Sequence, residues 1–177
     1  MSTLHVENLK GLSSGSNANK IIVPSGQTLT APGHVIQTVV GSTNSLTTST
    51  ATFATVGSGS ITPISTSSKI LLILQMHVYV GSHATDQWIG CLIRVTRNGT
   101  VIKGDTGSDP YGNGAYKTSD TDRYMEYSTR IYIDSPSSTS SVSYVIQGAA
   151  KAGRSGHTIN SADYGDGGNF YLQEIAG

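Results

Sequence analysis

The stretch Lys69–Val80, KILLILQMHVYV, is the strongest hydrophobic segment of this sequence and decides its fold class. Residues 70–74 are continuously apolar, and the pattern then alternates from Gln75 onward. A short apolar run that passes into period-two alternation is typical of a strand buried on both faces that emerges toward an edge. A helix is the alternative, but the stretch has no helical stripe and no capping box. We therefore predict a long strand with the core around it.

The composition of the 177-residue chain favours an ordered β-protein. Charged residues make up 12% of the chain, which is about half the usual share. Low charge combined with much Ser, Thr and Gly also occurs in disordered chains. Here, however, the apolar residues form strand-length runs separated by turn residues, which favours an all-β fold. The length is sufficient for one domain with a core and an appendage.

Charge and cysteine content argue against several classes of function. The 11 basic and 11 acidic residues balance to a formal net charge of zero, without a run of like charge. This pattern disfavours a nucleic-acid groove, which requires clustered Lys and Arg. The single cysteine, Cys91, excludes an intrachain disulfide, and its place in a strand pattern predicts a buried thiol. Residues 1–20 lack the apolar region of a signal peptide, and no apolar run is as long as a membrane span.

Two segments of different texture follow each other along the chain. Residues 1–33 are polar, rich in Gly and Ser, and contain too few apolar residues to bury a core within one chain. We predict a thin N-terminal arm and short shaft there. Its first 20 residues are either flexible or held against other chains, and packing of copies about an axis would bury the few apolar residues of the shaft. Residues 34–177 contain the strand patterns and are predicted to form the head domain.

Strand and turn signals recur through the predicted head domain. Asn98-Gly99 between two apolar runs is a strong hairpin signal, because both residues tolerate a positive φ. Seven or eight strands, two long loops and no helix predict an antiparallel β-sandwich or jelly roll. Besides the central strand and the hairpin, the clearest candidate strands are His34–Val40, Trp88–Val95, Tyr124–Ile133, Ser141–Gln147 and Phe170–Ile175.

Residues 103–122 and 148–168 have no sustained strand pattern and are predicted to be long loops, the second broken by Thr158-Ile159. Loops of this length in a compact domain are usually functional or mobile. Both combine tyrosine with Gly, Ser and Asn, a composition suited to recognition. The alternative is that they are solvated and that their tyrosines pack on a neighbouring subunit. The candidate receptor-binding residues are Asp109, Tyr111, Asn113, Tyr116, Lys117, Arg154, His157 and Tyr164.

The sequence contains no catalytic signature such as G-x-S-x-G, H-E-x-x-H or a phosphate loop. Loop carboxylates such as Asp109 are more typical of turns than of a glycosidase pair. His77 and His83 could meet beside Asp86, but six residues across a loop do not fix two imidazoles on one cation. Residues 163–168 offer oxygens for Ca²⁺ without the EF-hand pattern, so a Gly-rich turn is favoured. We expect no enzymatic activity, no metal site and no cofactor.

Four segments together resemble a known family. They are STSSKILLILQMHVYV, the RVTRNGTVI hairpin, YIDSPSSTSSVSYVIQ and the terminal NFYLQEIAG. These segments look like the C-terminal domains of tail-fibre and appendage proteins of tailed phages, particularly those of marine and cyanobacterial hosts. The stretch KIIVPSGQTLTAPGHVIQ resembles the junction that leads from a thin shaft into that domain. The resemblance covers residues 20–177 and brings no fixed functional residues with it.

The resemblance implies a homotrimeric virion protein, assembled in the host cytoplasm, with a β-sandwich head that touches the host surface. Residues 1–33 would attach to other virion proteins. The distal loops would bind a surface polysaccharide or an outer-membrane receptor, and weak sites on three chains would act together through avidity. The alternative is a structural capsid-decoration (cement) or head-fibre protein anchored by its N-terminal arm. A polysaccharide depolymerase is the third hypothesis.

Overall fold

A computed structural model of the chain describes residues 13–16, 23, 25, 31–80, 87–104, 113–117, 124–150, 157–159 and 168–177. Within these ranges the chain forms twelve β-strands and no helix. No helix there is long and apolar enough to cross a membrane. The strands are β1 (Val35–Val40), β2 (Ser42–Thr43), β3 (Leu46–Thr48), β4 (Ala54–Ile61), β5 (Lys69–Val80), β6 (Gln87–Arg97), β7 (Thr100–Gly104), β8 (Asn113–Lys117), β9 (Tyr124–Asp134), β10 (Val142–Ala150), β11 (His157–Ile159) and β12 (Asn169–Ile175).

The strands form two antiparallel sheets of six strands each, which confirms the predicted all-β class. Sheet A has the order β1-β12-β5-β11-β3, and β9 also pairs with β5. β12 and β11 pair with residues 69–75 and 78–80 of β5 along one of its edges. β9 pairs with residues 70–80 of β5 and therefore lies along the other edge. Sheet B has the order β2-β4-β10-β6-β7, with β8 pairing with β6.

The core lies between the two sheets and is built around β5, as predicted. The even-numbered side chains of β5 from Ile70 to Val78 are at most 1% exposed. The odd-numbered side chains differ: Leu71 and Ile73 are half-buried, Gln75 is exposed, and His77, beside Tyr127, is 2% exposed. The predicted burial on both faces is therefore incomplete in the single chain, because no described strand covers the outer face at residues 71–75. Core residues from sheet B include Val56, Cys91, Ile93, Val95, Val142, Tyr144 and Ile146.

The predicted Asn98-Gly99 hairpin joins β6 to β7. Asn98 has φ 47° and Gly99 has φ 84°, the left-handed conformations that a two-residue hairpin turn requires. The Asn98 side-chain oxygen accepts a hydrogen bond from the Ser143 N–H, and the Asn98 N–H donates to the Ser143 carbonyl, both at 2.9 Å. These two bonds fix the turn against β10.

Both segments that were predicted to be long loops contain strands. β7 pairs with residues 94–97 of β6, which leaves the first half of this eleven-residue strand available on that edge. β8 pairs there with residues 87–91, so the expectation of a loop throughout 103–122 is wrong. The segment NGAYK has little intrinsic strand preference, and its conformation depends on this pairing. In the same way, β10 extends to Ala150, and β11 pairs with β5 and β3.

A buried carboxylate joins the two ends of the head domain. Glu174 on β12 is 0% exposed. It accepts a hydrogen bond from Gln37 Nε2 at 2.6 Å and another from the Ile64 N–H at 2.8 Å. Nearby, the Gly33 N–H donates to the Ala176 carbonyl at 2.8 Å. The start and the end of the predicted head domain thus meet, while the arm predicted for residues 1–33 lies largely outside the described residues.

Candidate functional site

A small cavity opens where β5 changes its neighbour on one edge. β12 pairs with β5 up to Gln75, and β11 pairs with it from Val78 onward, so the pairing passes from one strand to the other at Met76 and His77. The cavity has a volume of about 190 Å³ and is lined by Gln75, Met76, His77, Tyr127, Gly168 and Asn169. It is smaller than the roughly 300–1,000 Å³ of pockets for drug-sized ligands. Its size suits one small ring or sugar unit.

Two aromatic rings form one side of this cavity. His77 lies directly opposite Tyr127 in the β5–β9 register, so both side chains emerge on the same face of sheet A. Their ring centroids are 4.9 Å apart, and the ring planes are tilted by 52°. His77 is 2% exposed, whereas Tyr127 is 60% exposed. The imidazole therefore supports the phenol ring, and the phenol ring remains accessible to a ligand.

Two amide side chains form the other side. Gln75 lies opposite Asn169 in the β5–β12 register, and Asn169 Nδ2 donates a hydrogen bond to Gln75 Oε1 at 3.3 Å. An amide side chain has both donors and an acceptor, so this bond uses only part of the capacity of each residue. The adjacent Gly168 carbonyl accepts a hydrogen bond from Thr43 Oγ1 at 2.7 Å, which ties the rim of the cavity to β2.

These groups can bind a neutral ligand rich in hydroxyl groups. The Tyr127 ring offers an apolar face to C–H groups, and the amides of Gln75 and Asn169 can exchange hydrogen bonds with hydroxyls. None of the six lining residues carries a carboxylate, an ammonium or a guanidinium group. The described part of the lining therefore does not include the pair of carboxylates with which most glycosidases cleave a sugar bond. Binding is the chemistry that these six residues support.

An ion pair that also includes a tyrosine lies away from the cavity and connects three strands. Arg97 Nη1 contacts both carboxylate oxygens of Asp134, at 3.0 and 2.9 Å. The Tyr144 hydroxyl donates a hydrogen bond to Asp134 Oδ2 at 2.7 Å. Burial, and then the neighbouring Asp134 carboxylate, raises the pKa of Tyr144 above its ordinary value. Asp134 is thus engaged by two protein groups, and the cluster joins β6, β9 and β10.

The structure places half of the predicted receptor-binding residues in strands. Asn113, Tyr116 and Lys117 belong to β8 in sheet B, and His157 belongs to β11 in sheet A. Strand pairing rather than loop conformation thus positions their backbones, and the two groups lie on different sheets. The other four, Asp109, Tyr111, Arg154 and Tyr164, lie outside the described residues.

No pattern in the sequence indicated this cavity as a site. Alternation in the sequence already placed Gln75 and His77 on one face of β5, and Tyr127 on one face of another strand. The register that sets His77 opposite Tyr127 is a tertiary property that alternation does not contain. Of the histidine pair considered for a metal, only His77 is described, and among the described residues no cluster of three His, Cys, Asp or Glu side chains could hold a metal ion.

Comparison with known proteins adds no relative. A scan against protein-family models gave no match, and a search of curated proteins gave none either. The functional assignment of this chain therefore depends on its own fold, its cavity and the sequence patterns described above.

Proposed function

We propose that this protein is a virion fibre or appendage protein of a tailed phage that binds a glycan on the bacterial host surface. The sequence resemblance supports the virion assignment, and the antiparallel two-sheet fold is compatible with it. The cavity beside His77 and Tyr127 is the single observation that carries glycan binding. The receptor in this proposal is accordingly a surface polysaccharide.

The cavity favours one neutral sugar unit of a longer chain. The exposed Tyr127 ring would contact the C–H groups of the sugar, and Gln75 and Asn169 would hold its hydroxyls. The cavity is open on the outer face of sheet A, so a polysaccharide could continue beyond it in either direction. Such a site buries little of its ligand, and we expect weak binding by one copy.

Several copies acting together would make this weak binding useful. We propose a homotrimer attached to other virion proteins through residues 1–33, so that each particle presents many copies of the cavity. Linking weak sites raises overall avidity by 10²- to 10⁴-fold without any new contact. In this proposal the protein works in the virion, and its role is adhesion rather than catalysis.

The test is binding of the fluorescently labelled full chain to bacterial cells and to a panel of extracted capsular and lipopolysaccharide chains. Tyr127→Ala removes the aromatic face, and we expect it to weaken binding to the responsive polysaccharide about tenfold per site. Gln75→Ala should weaken it by a smaller factor. Met125→Ala is the matched control, because Met125 is 56% exposed on the same strand but does not line the cavity. We expect this control to bind like the parent protein.

Other outcomes would replace the proposal. Equal losses for Tyr127→Ala and Met125→Ala would indicate general stickiness of an apolar strand. Loss of binding in a Tyr116→Ala, Lys117→Ala double variant, with Tyr127→Ala unaffected, would move the site to β8. A parent protein that binds no polysaccharide but binds capsid shells would support the structural decoration hypothesis. Shortening of the polysaccharide chains by the parent protein would support the depolymerase hypothesis.

A further inference from the structure

The outer face of sheet A is apolar along two neighbouring strands. Even-numbered residues of β5 fill the core, so its odd-numbered side chains point outward, together with those of β9 opposite them. Leu71 lies opposite Ile133, and Ile73 lies opposite Ile131. Ile131 is 62% exposed and Ile133 is 57% exposed. Removing apolar side chains of this kind from water is favourable.

The apolar surface continues across the sheet. Tyr171 of β12 lies opposite Ile73, and Val40 of β1 lies opposite Tyr171. Val40 is 70% exposed. Nine large hydrophobic side chains are exposed in the described residues, and six of them lie on the outer side of sheet A. These six are Val35, Val40, Met125, Tyr127, Ile131 and Ile133. We define the apolar face as Val40, Leu71, Ile73, Ile131, Ile133 and Tyr171.

Charged groups are almost absent from this side. Among the outward-facing described positions of β1, β5, β9 and β12, the only carboxylate, ammonium or guanidinium group is that of Lys69, at the start of β5. The outer face of sheet B is different, since the paired positions Arg94 and Gln147, and Ser143 and Ser60, are polar. Sheet B is thus built to face water, whereas the apolar face of sheet A has the composition of an interface core.

We propose that a second copy of this chain packs on the apolar face. An exposed apolar patch of this extent on a soluble domain indicates an interaction surface. The partner must itself be apolar and uncharged, because the face offers nothing to pair with a charge. The described surface of this chain presents such a patch on sheet A, and the copies of one patch can converge around the axis of a closed symmetric assembly.

The size of the apolar face fits this occupant. Its three most exposed side chains, Val40, Ile131 and Ile133, each present roughly 100 Å² to solvent, and the half-buried ones add smaller areas. With Val35 at the margin, 43% exposed, the area makes up a large part of the about 800 Å² that each partner contributes to a specific interface. Packing of a second copy would also bury the outer side of β5. That burial would explain why its sequence resembles that of a strand covered on both faces.

The cavity would lie at the rim of this interface. Tyr127 and Ile131 are separated by four residues on β9, a distance of about 13 Å along a strand. Assembly through the apolar face would therefore bring copies of the cavity close together and leave them accessible. The inference concerns the assembly that the proposed function assumes, but it does not depend on glycan binding.

The test is the oligomeric state of the full chain, measured by sedimentation equilibrium over a wide concentration range. We expect the parent protein to assemble and Ile131→Glu to raise the apparent dissociation constant at least about 100-fold, because a charge cannot be buried there without a partner. Val101→Glu is the matched control: Val101 is 42% exposed on sheet B, and this variant should assemble like the parent. Circular dichroism establishes that each variant is folded.

A second measurement does not rely on any variant. Amide hydrogen exchange of the parent protein at rising concentration should slow in β9 and β5, and the polar strands of sheet B should not change. A parent protein that stays monomeric throughout, or an Ile131→Glu variant that assembles like the parent, would overturn the inference. A monomeric parent whose incorporation into particles is blocked by Ile131→Glu would mean that another virion protein covers the face. Polysaccharide binding per chain by Ile131→Glu reports separately on the cavity, and its loss would not bear on the interface.

Discussion

Replacing Glu174 with alanine tests whether one buried carboxylate holds the ends of the head domain together. Glu174 is 0% exposed, and its two oxygens accept hydrogen bonds from Gln37 Nε2 at 2.6 Å and from the Ile64 N–H at 2.8 Å. The three residues belong to β12, β1 and the segment that follows β4. Alanine removes both acceptors at once, so the Ile64 N–H loses its partner and Gln37 Nε2 keeps only its hydrogen bond to the Thr62 carbonyl.

The magnitude follows from these two bonds. A hydrogen bond to a charged group contributes about 1.5–3 kcal/mol to stability, and an unsatisfied buried group costs a similar amount. Gln37 Nε2 retains its 2.8 Å hydrogen bond to the Thr62 carbonyl, which reduces its share of the loss. We therefore expect Glu174→Ala to lower the free energy of unfolding by about 3 kcal/mol. Glu174→Gln keeps the shape and one acceptor, so its loss should be about half as large.

Urea unfolding followed by circular dichroism, at one fixed protein concentration, provides the assay. Gln173→Ala is the matched control on the neighbouring residue. Its side chain donates a 3.3 Å hydrogen bond to Thr38 Oγ1 at an exposed position, so we expect a loss below about 0.5 kcal/mol. If Glu174→Ala costs no more stability than this control, the buried carboxylate contributes nothing specific.

Three further predictions concern the core and the turns. Burial and Asp134 raise the pKa of Tyr144 in the folded chain, so the unfolded chain loses the phenol proton at a lower pH than the folded chain does. Stability should therefore fall as pH rises above about 10, by up to about 1.4 kcal/mol per pH unit. Tyr144→Phe should remove this part of the slope in urea unfolding at pH 9 to 11. Gly104 has φ +100°, and an added Cβ would collide with the Ile93 carbonyl, so Gly104→Ala should lower stability by about 2 kcal/mol in the same assay. Phe170 is 0% exposed, and Phe170→Ala should cost about 3–5 kcal/mol and lower the melting temperature accordingly.

Local patterns predicted the elements whose information lies within a few residues. The apolar run at Lys69–Val80 predicted β5 with both of its ends, and Asn98-Gly99 predicted the β6–β7 turn, because only a few residues adopt its φ angles. Alternation in Tyr124–Ile133 separated the two faces of β9 correctly. It did not indicate which face is exposed, and the face with Ile131 proved to be the outer one.

The candidate site was much less predictable. The choice of loop residues such as Tyr116 and His157 came from composition, and both lie in short strands that exist because β6 and β5 have edges to pair. The segment NGAYK is too weakly patterned to identify a strand, and Thr158-Ile159 indicated only a break in the second loop. Their conformation depends on partners that are distant in the sequence, so no local rule could have placed them.

The sequence by itself determined that the chain forms an all-β protein with β5 at its centre, because hydrophobic periodicity specifies strands and their two faces. Tertiary structure alone decided which strands pair and in which register. That register sets His77 opposite Tyr127 and Gln75 opposite Asn169, and so creates the cavity. It also aligns Ile73 with Ile131 on an outer face that no described strand of the same chain covers. A one-residue change in strand register reverses every side chain, so these juxtapositions are properties of the assembled sheets and not of any single segment.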